Sequence, residues 1–181
     1  MTRSEATQFL KREALRLGFM EARVARADFL AEEAPRLEEW LARGLHGSMG
    51  YMANHFDKRL DPRLLVPGAR SVVSLAFNYY PEPSELEADG RPRVARYAYG
   101  EDYHRVVKDR LFELLDALRS AVGAIDGRCF VDSAPVMERA WAERSGLGWV
   151  GKNSLVLRKN AGSYFFLAEL VVDYDFVPDL P

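Results

Sequence analysis

The segment from Cys129 to Asn153 constrains this chain more than any other stretch of the sequence. A helix is predicted from Pro135 to Ser145, because proline suits the first helical position. Ala134 is then the nominal N-cap, which leaves Asp132 free to face a ligand. The helix is followed by a glycine-rich polar run, in which glycines allow close approach of the backbone to a ligand: Gly146, Gly148, Gly151, Lys152 and Asn153. This arrangement predicts a pocket between Asp132 and the glycine run.

Two nucleotide-binding motifs are matched by the glycine run, and both fail on their context. The glycines fit G-x-G-x-x-G, but that fingerprint follows a strand and opens a helix, whereas this run follows a helix and leads into a strand. The stretch from Gly146 to Lys152 also fits a phosphate loop, but Asn153 stands where that loop needs serine or threonine. A nucleotide site is therefore not predicted. A second interpretation stays open, in which Gly146 ends the helix and the other glycines form a turn.

The overall composition limits the classes of function that this chain can serve. Its 181 residues fit a single domain, predicted over 1–181, and no apolar run reaches the roughly 18 residues of a membrane helix. The net charge of −2 gives no global basic field for nucleic acid, so any RNA contact must be local. The single cysteine, Cys129, is expected to be a buried inert thiol. One cysteine suits the cytoplasm and cannot supply the four thiolates of a [4Fe–4S] cluster.

The order of the predicted elements favours the α/β class (mixed α+β), with a mixed sheet covered by helices. Apart from 135–145, helices are predicted at 3–17, at 29–43 with a kink at Pro35, and at 103–122. Asp28 is expected to cap the helix at 29–43, and Asp102 is expected to cap the helix at 103–122. Strands are predicted at 19–24, 71–78 and 128–131, and 154–157 is expected to form a hairpin with 164–172. Residues 81–92 are predicted to form an exposed polar loop.

Several segments of the chain resemble the epoxyqueuosine reductase family. They are HGSMGYM (46–52), residues 61–80, ARYAYGEDYH (95–104), the motif at 131–155 and GSYFFLAEL (162–170). The resemblance implies a nitroreductase-like cobalamin-binding domain of an oxidoreductase in queuosine biosynthesis. Such an enzyme reduces epoxyqueuosine to queuosine in the anticodon loop of tRNA. The resemblance therefore implies that tRNA carrying epoxyqueuosine is the partner of this chain. The cobalamin would be base-off, with no protein ligand to the cobalt.

The resemblance also implies a part that these residues do not contain. The family continues into a ferredoxin-like module with two sets of cluster-binding cysteines, and this chain has one cysteine. We therefore expect an iron–sulfur module or another electron donor to be supplied separately, and turnover by these residues alone to be incomplete. We further expect a monomer that does not bind membranes.

The resemblance assigns roles to individual residues. It makes Asp132 the proton donor to the substrate. The residues expected to bind the cofactor are Met49, Tyr51, Arg96, Tyr97, Ser133, Trp149, Gly151, Lys152, Asn153 and Ser154. Those expected to contact substrate or tRNA are Tyr103, His104, Arg139 and Arg158. No protein metal site is predicted, because the three histidines are too scattered.

Other interpretations of the same residues remain open. The tyrosines at 97, 99 and 103 could pack at a sheet edge, and the basic residues could lie on solvated helix faces. At the level of the whole chain, one rival is a flavin-dependent oxidoreductase of nitroreductase type. Another is a non-catalytic module that binds a corrinoid or tRNA.

Overall fold

The computed structural model describes residues 1–80, 94–98 and 100–181. The predicted loop at 81–92, Arg93 and Tyr99 lie outside these ranges. The helices of the described residues are α1 (Arg3–Arg16), α2 (Ala34–Ala42), α3 (Phe56–Leu60), α4 (Tyr103–Val122) and α5 (Glu138–Arg144). The strands are β1 (Glu21–Arg26), β2 (Ser71–Asn78), β3 (Gly127–Phe130), β4 (Trp149–Val150), β5 (Val156–Leu157) and β6 (Phe165–Val172). Among the described helices, none combines the length and the apolarity needed to cross a bilayer.

The main sheet has four strands in the order β1-β2-β6-β3, and β4 pairs with β5 in a separate two-stranded sheet. The predicted α/β class is confirmed, but the expectation of a mixed sheet is wrong in detail. Every strand pair of the described residues is antiparallel. The reason is that a helix between two strands can return the chain to either end of the sheet, so an alternation of helices and strands does not determine strand direction.

Helices cover both faces of the main sheet. On one face, Leu10 of α1 and Leu111 of α4 pack with Val73 and Leu170 of the central strands. On the other face, α2 and α5 pack over the same two strands, with Trp141 of α5 fully buried. The strands β2 and β6 are therefore buried on both faces, which explains their nearly continuous apolar sequences.

Several predicted helix and strand ends are confirmed. Thr2 and Glu5 form the reciprocal capping box at the start of α1, and Asp102 caps α4 by accepting from the His104 N–H. The strand β2 has the predicted bounds. The second helix is shorter than expected, because it begins at Ala34 and Pro35 lies in its first turn instead of kinking it. Consequently Asp28 does not cap this helix.

Two predictions near the glycine run are wrong. The helix α5 begins at Glu138 and not at Pro135, because residues 131–137 form irregular turns that run along a cavity. The hairpin between 154–157 and 164–172 does not form: β5 pairs with β4, and β6 lies between β2 and β3. The physical reason is that β2 and β3 already occupy the two edges of β6, which leaves no free edge for a hairpin partner.

Candidate active site

Asp132 lies in a tight turn directly after β3. Its φ angle is +56°, and the Ser133 N–H donates to the Val131 carbonyl oxygen across it at 2.6 Å. A left-handed backbone in a residue other than glycine is uncommon and marks a locally strained segment. No side chain caps α5 in the described residues, so Asp132 is free of the capping role, as predicted. The turn presents its carboxylate to solvent.

Two ring residues at the start of α4 contact the Asp132 carboxylate. The Tyr103 hydroxyl donates to Oδ2 at 2.7 Å, and Nε2 of His104 lies 3.5 Å from the same oxygen. The Tyr103 ring stacks on Phe166 at 3.9 Å, which fixes its direction. Burial, together with the hydrogen bond to Asp132, raises the pKa of Tyr103. The phenol therefore stays protonated at neutral pH and remains a donor to Asp132.

Two cavities meet at the Asp132 turn, and Asp132, Glu138 and Arg139 line both of them. The first, of about 450 Å³, has aromatic walls formed by Tyr79, Tyr97, Tyr103, Phe165 and Phe166. The second, of about 750 Å³, lies between residues 51–59 and residues 132–140, and includes Tyr51, Met52, His55, Ser133 and Met137. An acid at the junction of two cavities can reach groups bound in either one.

Two glutamates lie behind the Asp132 turn, Glu138 half-buried and Glu169 fully buried. The Asp132 N–H donates to Oε1 of Glu138 at 2.7 Å. Burial, partly offset by this hydrogen bond, raises the pKa of Glu138 to about 7. Glu169 of β6 is fully buried, and burial, reinforced by the neighbouring Glu138, raises its pKa well above the ordinary value. The site thus contains three carboxyl groups in very different surroundings.

The glycines of the run at 146–151 are required by the local backbone geometry. Gly146 ends α5 at a φ of +74°, as the turn interpretation predicted. A Cβ atom on Gly148 would lie 2.3 Å from the Leu157 carbonyl oxygen, and one on Gly151 would lie 2.6 Å from the Leu157 side chain. These glycines therefore permit close packing of β4 against β5. The predicted contact of Gly151 with a cofactor stays a prediction.

The turn at 152–154 is held by its own polar groups and by α5. The Asn153 Oδ1 accepts from the Leu155 N–H at 3.2 Å, and Ser154 has a φ of +64°. Arg139 donates from Nη1 to the Ser154 carbonyl oxygen at 2.6 Å. Arg139, predicted to contact tRNA, therefore also joins α5 to this turn, whereas the Lys152 side chain is exposed.

The other predicted residues fall into four environments. Tyr51 and Ser133 line the second cavity and Tyr97 lines the first. Met49 and Trp149 are exposed apolar side chains outside both linings. The Arg96 guanidinium lies over the Tyr80 ring at 4.4 Å. Arg158 forms an ion pair with Glu21 of β1, so its charge is already engaged by the protein.

Sequence reasoning missed part of the site. The aromatic wall contributed by Tyr79, Phe165 and Phe166 was not predicted, and neither was the pair of Glu138 and Glu169. One signal was available for Glu169, because an acid inside the apolar run FFLAELVV is unusual for a buried strand. Cys129 is buried and its pKa is raised to about 12 by burial, which agrees with an inert thiol.

Comparisons with known proteins agree with one another. A family profile described as epoxyqueuosine reductase QueG, DUF1730, matches residues 59–133. The epoxyqueuosine reductase from Cyclobacterium marinum is 59% identical to this chain, and the match covers 97% of this chain and 56% of that protein. The epoxyqueuosine reductase from Cellulophaga algicola is 53% identical, and the match covers 99% of this chain and 58% of that protein. A crystal structure of epoxyqueuosine reductase with an epoxyqueuosine-modified tRNA stem loop superposes with a TM-score of 0.86 at 29% identity, covering 99% of this chain and 48% of that one. The chain therefore spans about half the length of these relatives.

Proposed function

We propose that this chain, which belongs to the epoxyqueuosine reductase family, provides the cofactor and substrate site for the reduction of epoxyqueuosine to queuosine in tRNA. One observation carries the proposal: an exposed carboxylate, Asp132, lies where an aromatic cavity and a larger, more enclosed cavity meet. The placement suits an acid that must serve a substrate on one side and a cofactor on the other.

The second cavity has the chemistry that base-off cobalamin requires. Its lining combines apolar side chains, such as Tyr51, Met52, Val136 and Met137, with polar groups of Ser133 and Asn54. A corrin has a broad apolar face and a rim of amides, so this combination matches both of its surfaces. When bound, the cofactor would supply the reduced cobalt that delivers electrons to the epoxide carbon.

The first cavity suits a modified nucleobase of an RNA loop. Aromatic side chains are the usual platforms for unstacked bases, and Tyr79, Tyr97 and Phe165 form such walls here. Removal of the epoxide oxygen as water consumes two electrons and two protons. Asp132 would deliver a proton to that oxygen, while the Tyr103 hydroxyl and the Glu138 carboxyl hold Asp132 at the cavity junction.

The electrons must come from outside these residues. One [4Fe–4S] cluster takes four thiolates, and this sequence contains only Cys129. A separate iron–sulfur module or donor would therefore feed the bound cofactor, and the whole reaction would take place in the cytoplasm. The chain itself would act as a monomer.

A cofactor titration tests this proposal. Cob(II)alamin added to the protein should give the absorbance of the base-off form, and Tyr51→Ala should weaken binding. Phe112→Ala is a matched control, because Phe112 is an exposed aromatic residue of α4 outside the linings of both cavities. If the spectra show only free base-on cofactor even at high protein concentration, the assignment of cobalamin as the cofactor is wrong. Binding of a flavin in place of cobalamin would favour the nitroreductase-type rival.

A second measurement tests the substrate. With bound cobalamin and a strong chemical reductant, tRNA carrying epoxyqueuosine should lose one oxygen atom, as read by mass spectrometry of its nucleosides. Tight binding of both cofactor and tRNA without any loss of oxygen would instead support the non-catalytic module.

A further inference from the structure

Glu138 and Glu169 form a pair of neighbouring acids beneath the Asp132 turn. Glu169 projects from β6 toward α5, and its strand neighbours are Ser74 of β2 and Phe130 of β3. Within the described part of the chain, both Glu169 oxygens and the Ser74 hydroxyl are buried without a hydrogen-bond partner of ordinary geometry. Burial of polar groups without full pairing costs free energy. A polar cluster of this kind therefore points to a functional demand at this place in the core.

The cluster connects directly to the Asp132 turn. Glu138 accepts from the Asp132 N–H at 2.7 Å, and its carboxyl also interacts with that of Glu169. The ionisable groups that face Glu138 are Asp132 in the turn, Glu169 on β6, Tyr103 on α4 and Arg139 on its own helix. Among the ionisable groups of the described residues, Glu138 is the one that influences Glu169. One side of Glu138 thus holds the turn, and the other side lies against a buried acid.

We infer that Glu138 is a positioning residue, which holds Asp132 at the junction of the two cavities, and that Glu169 supports Glu138 from inside the core. The left-handed backbone at Asp132 persists only when its surroundings restrain it, and the bond from its N–H to Glu138 is such a restraint. The consequence for catalysis rests on the proposed function, since it assumes that Asp132 is the proton donor. The positions of the three residues do not depend on that assumption.

The protonation of the pair determines how firmly the turn is held. Because the Glu138 pKa is about 7, this carboxyl gains its charge as the pH rises through neutrality. A hydrogen bond to a carboxylate is stronger than one to a neutral carboxyl group. Burial raises the pKa of Glu169 well above its ordinary value, and the interaction of its side chain with Glu138 lowers the pKa of Glu138. We expect the turn to be held more firmly above neutral pH than below it.

Amide NMR of the chain without cofactor or tRNA tests the inference. The chemical shift of the Asp132 amide proton should titrate with a midpoint near that of the Glu138 carboxyl. In Glu138→Gln the amide oxygen still accepts the bond, so the signal should persist without this titration. In Glu138→Ala the acceptor is lost, and the Asp132 amide should exchange with solvent at least about tenfold faster.

A control and a second variant complete the test. Glu143→Ala removes a comparable bond from the same helix, to the Val150 N–H, and should leave the Asp132 amide unchanged. Glu169→Met removes the side chain whose interaction lowers the pKa of Glu138, and should therefore raise the midpoint of the titration. An Asp132 amide that ignores both pH and Glu138→Ala would overturn the positioning role, and an unmoved midpoint in Glu169→Met would overturn the supporting role. Since no cofactor is present, a failure of cobalamin binding would leave these results intact.

Discussion

At the scale of single residues, Asp132 is held from three directions. Its turn is closed by the Ser133 N–H, its own N–H is bound by Glu138, and its carboxylate accepts from Tyr103. Each contact fixes a different part of the residue, although the side chain itself is mostly exposed. Such an arrangement gives a defined position to an acid that solvent and ligands can still reach.

Replacement of Asp132 by asparagine should impair chemistry and leave the fold intact. Asparagine tolerates a positive φ and can still accept from Tyr103, but it cannot deliver a proton. With cobalamin, a chemical reductant and tRNA carrying epoxyqueuosine, we expect a rate at least about a hundredfold lower than that of the wild type. Cobalamin affinity and melting temperature should stay close to the wild-type values.

Asp109→Asn is the matched control for that experiment, because Asp109 is an exposed aspartate of α4 that lines neither cavity. Its rate should equal that of the wild type. If Asp132→Asn kept most of the activity, water or another group would have to be the proton source.

The raised pKa of Glu138 predicts how stability depends on pH. In the unfolded chain this carboxyl loses its proton near its ordinary pKa of 4.5, whereas in the folded chain it does so at about 7. Between these values the folded state binds more protons, so the free energy of unfolding falls as the pH rises and levels off above the folded pKa. Glu138→Gln should remove this dependence and be more stable than the wild type at about pH 8, by up to about 3 kcal/mol.

Chemical denaturation at several pH values measures this difference. Near pH 4 the two proteins should be almost equally stable, since Glu138 is then protonated in both states. Glu38→Gln, on the exposed surface of α2, should retain the slope of the wild type. A wild-type advantage that grows with pH would contradict the predicted sign.

At the scale of elements, the β4–β5 hairpin carries much of the predicted cofactor loop. It rests on α5 through Ala142, Leu147 and Val156, and Arg139 binds its turn. The hairpin has only two residues in each strand, so its geometry depends on close backbone contact at Gly148.

Gly148→Ala should disrupt this hairpin. The added Cβ atom would meet a backbone oxygen at 2.3 Å, and backbone cannot turn aside as a flexible side chain can. We expect a loss of about 1–3 kcal/mol in unfolding free energy and weaker cobalamin binding, although Gly148 itself has no side chain to contact a ligand. Thermal unfolding and the cofactor titration measure the two effects.

Gly50→Ala provides the comparison for stability, because a Cβ atom there meets nothing within 4 Å and the backbone φ is ordinary. Its unfolding free energy should change by no more than about 0.5 kcal/mol. Equal stability of Gly148→Ala and the wild type would show that the hairpin can open without cost.

At the scale of the whole molecule, the chain spans about half the length of its curated relatives and has a single, buried cysteine. The proposed reaction therefore separates into a cofactor and substrate site within these residues and an electron supply outside them. That division makes the source of electrons the variable to test.

The 181 residues alone should not sustain turnover with a flavodoxin donor, because no cluster can relay electrons to the cofactor. A strong chemical reductant that reaches bound cobalamin directly should restore some conversion of epoxyqueuosine. The measurement is product formed per protein over time with each donor. Sustained turnover with flavodoxin, in the absence of any iron–sulfur partner, would contradict this expectation.

Local chemistry determined the parts of this protein that were predicted well. The capping box of α1, the Asp102 cap of α4 and the bounds of β2 depend on residues within a few positions of one another. The position of Asp132 after a strand follows from similarly short-range preferences, but its freedom from capping was predicted from a helix start at Pro135, whereas α5 begins at Glu138. Hydrogen bonds and periodicity along one segment are sufficient for such predictions, and the family resemblance then gave Asp132 a proposed role.

Tertiary structure alone decided the pairing of β5 with β4, the antiparallel sheet, and the meeting of Tyr103 with Phe166. It also placed Glu169 behind Glu138, although thirty-one positions separate them along the chain. Each of these contacts joins surfaces from distant segments, and which surfaces meet depends on how the whole chain buries its apolar area. A pattern within one segment contains no information about that choice.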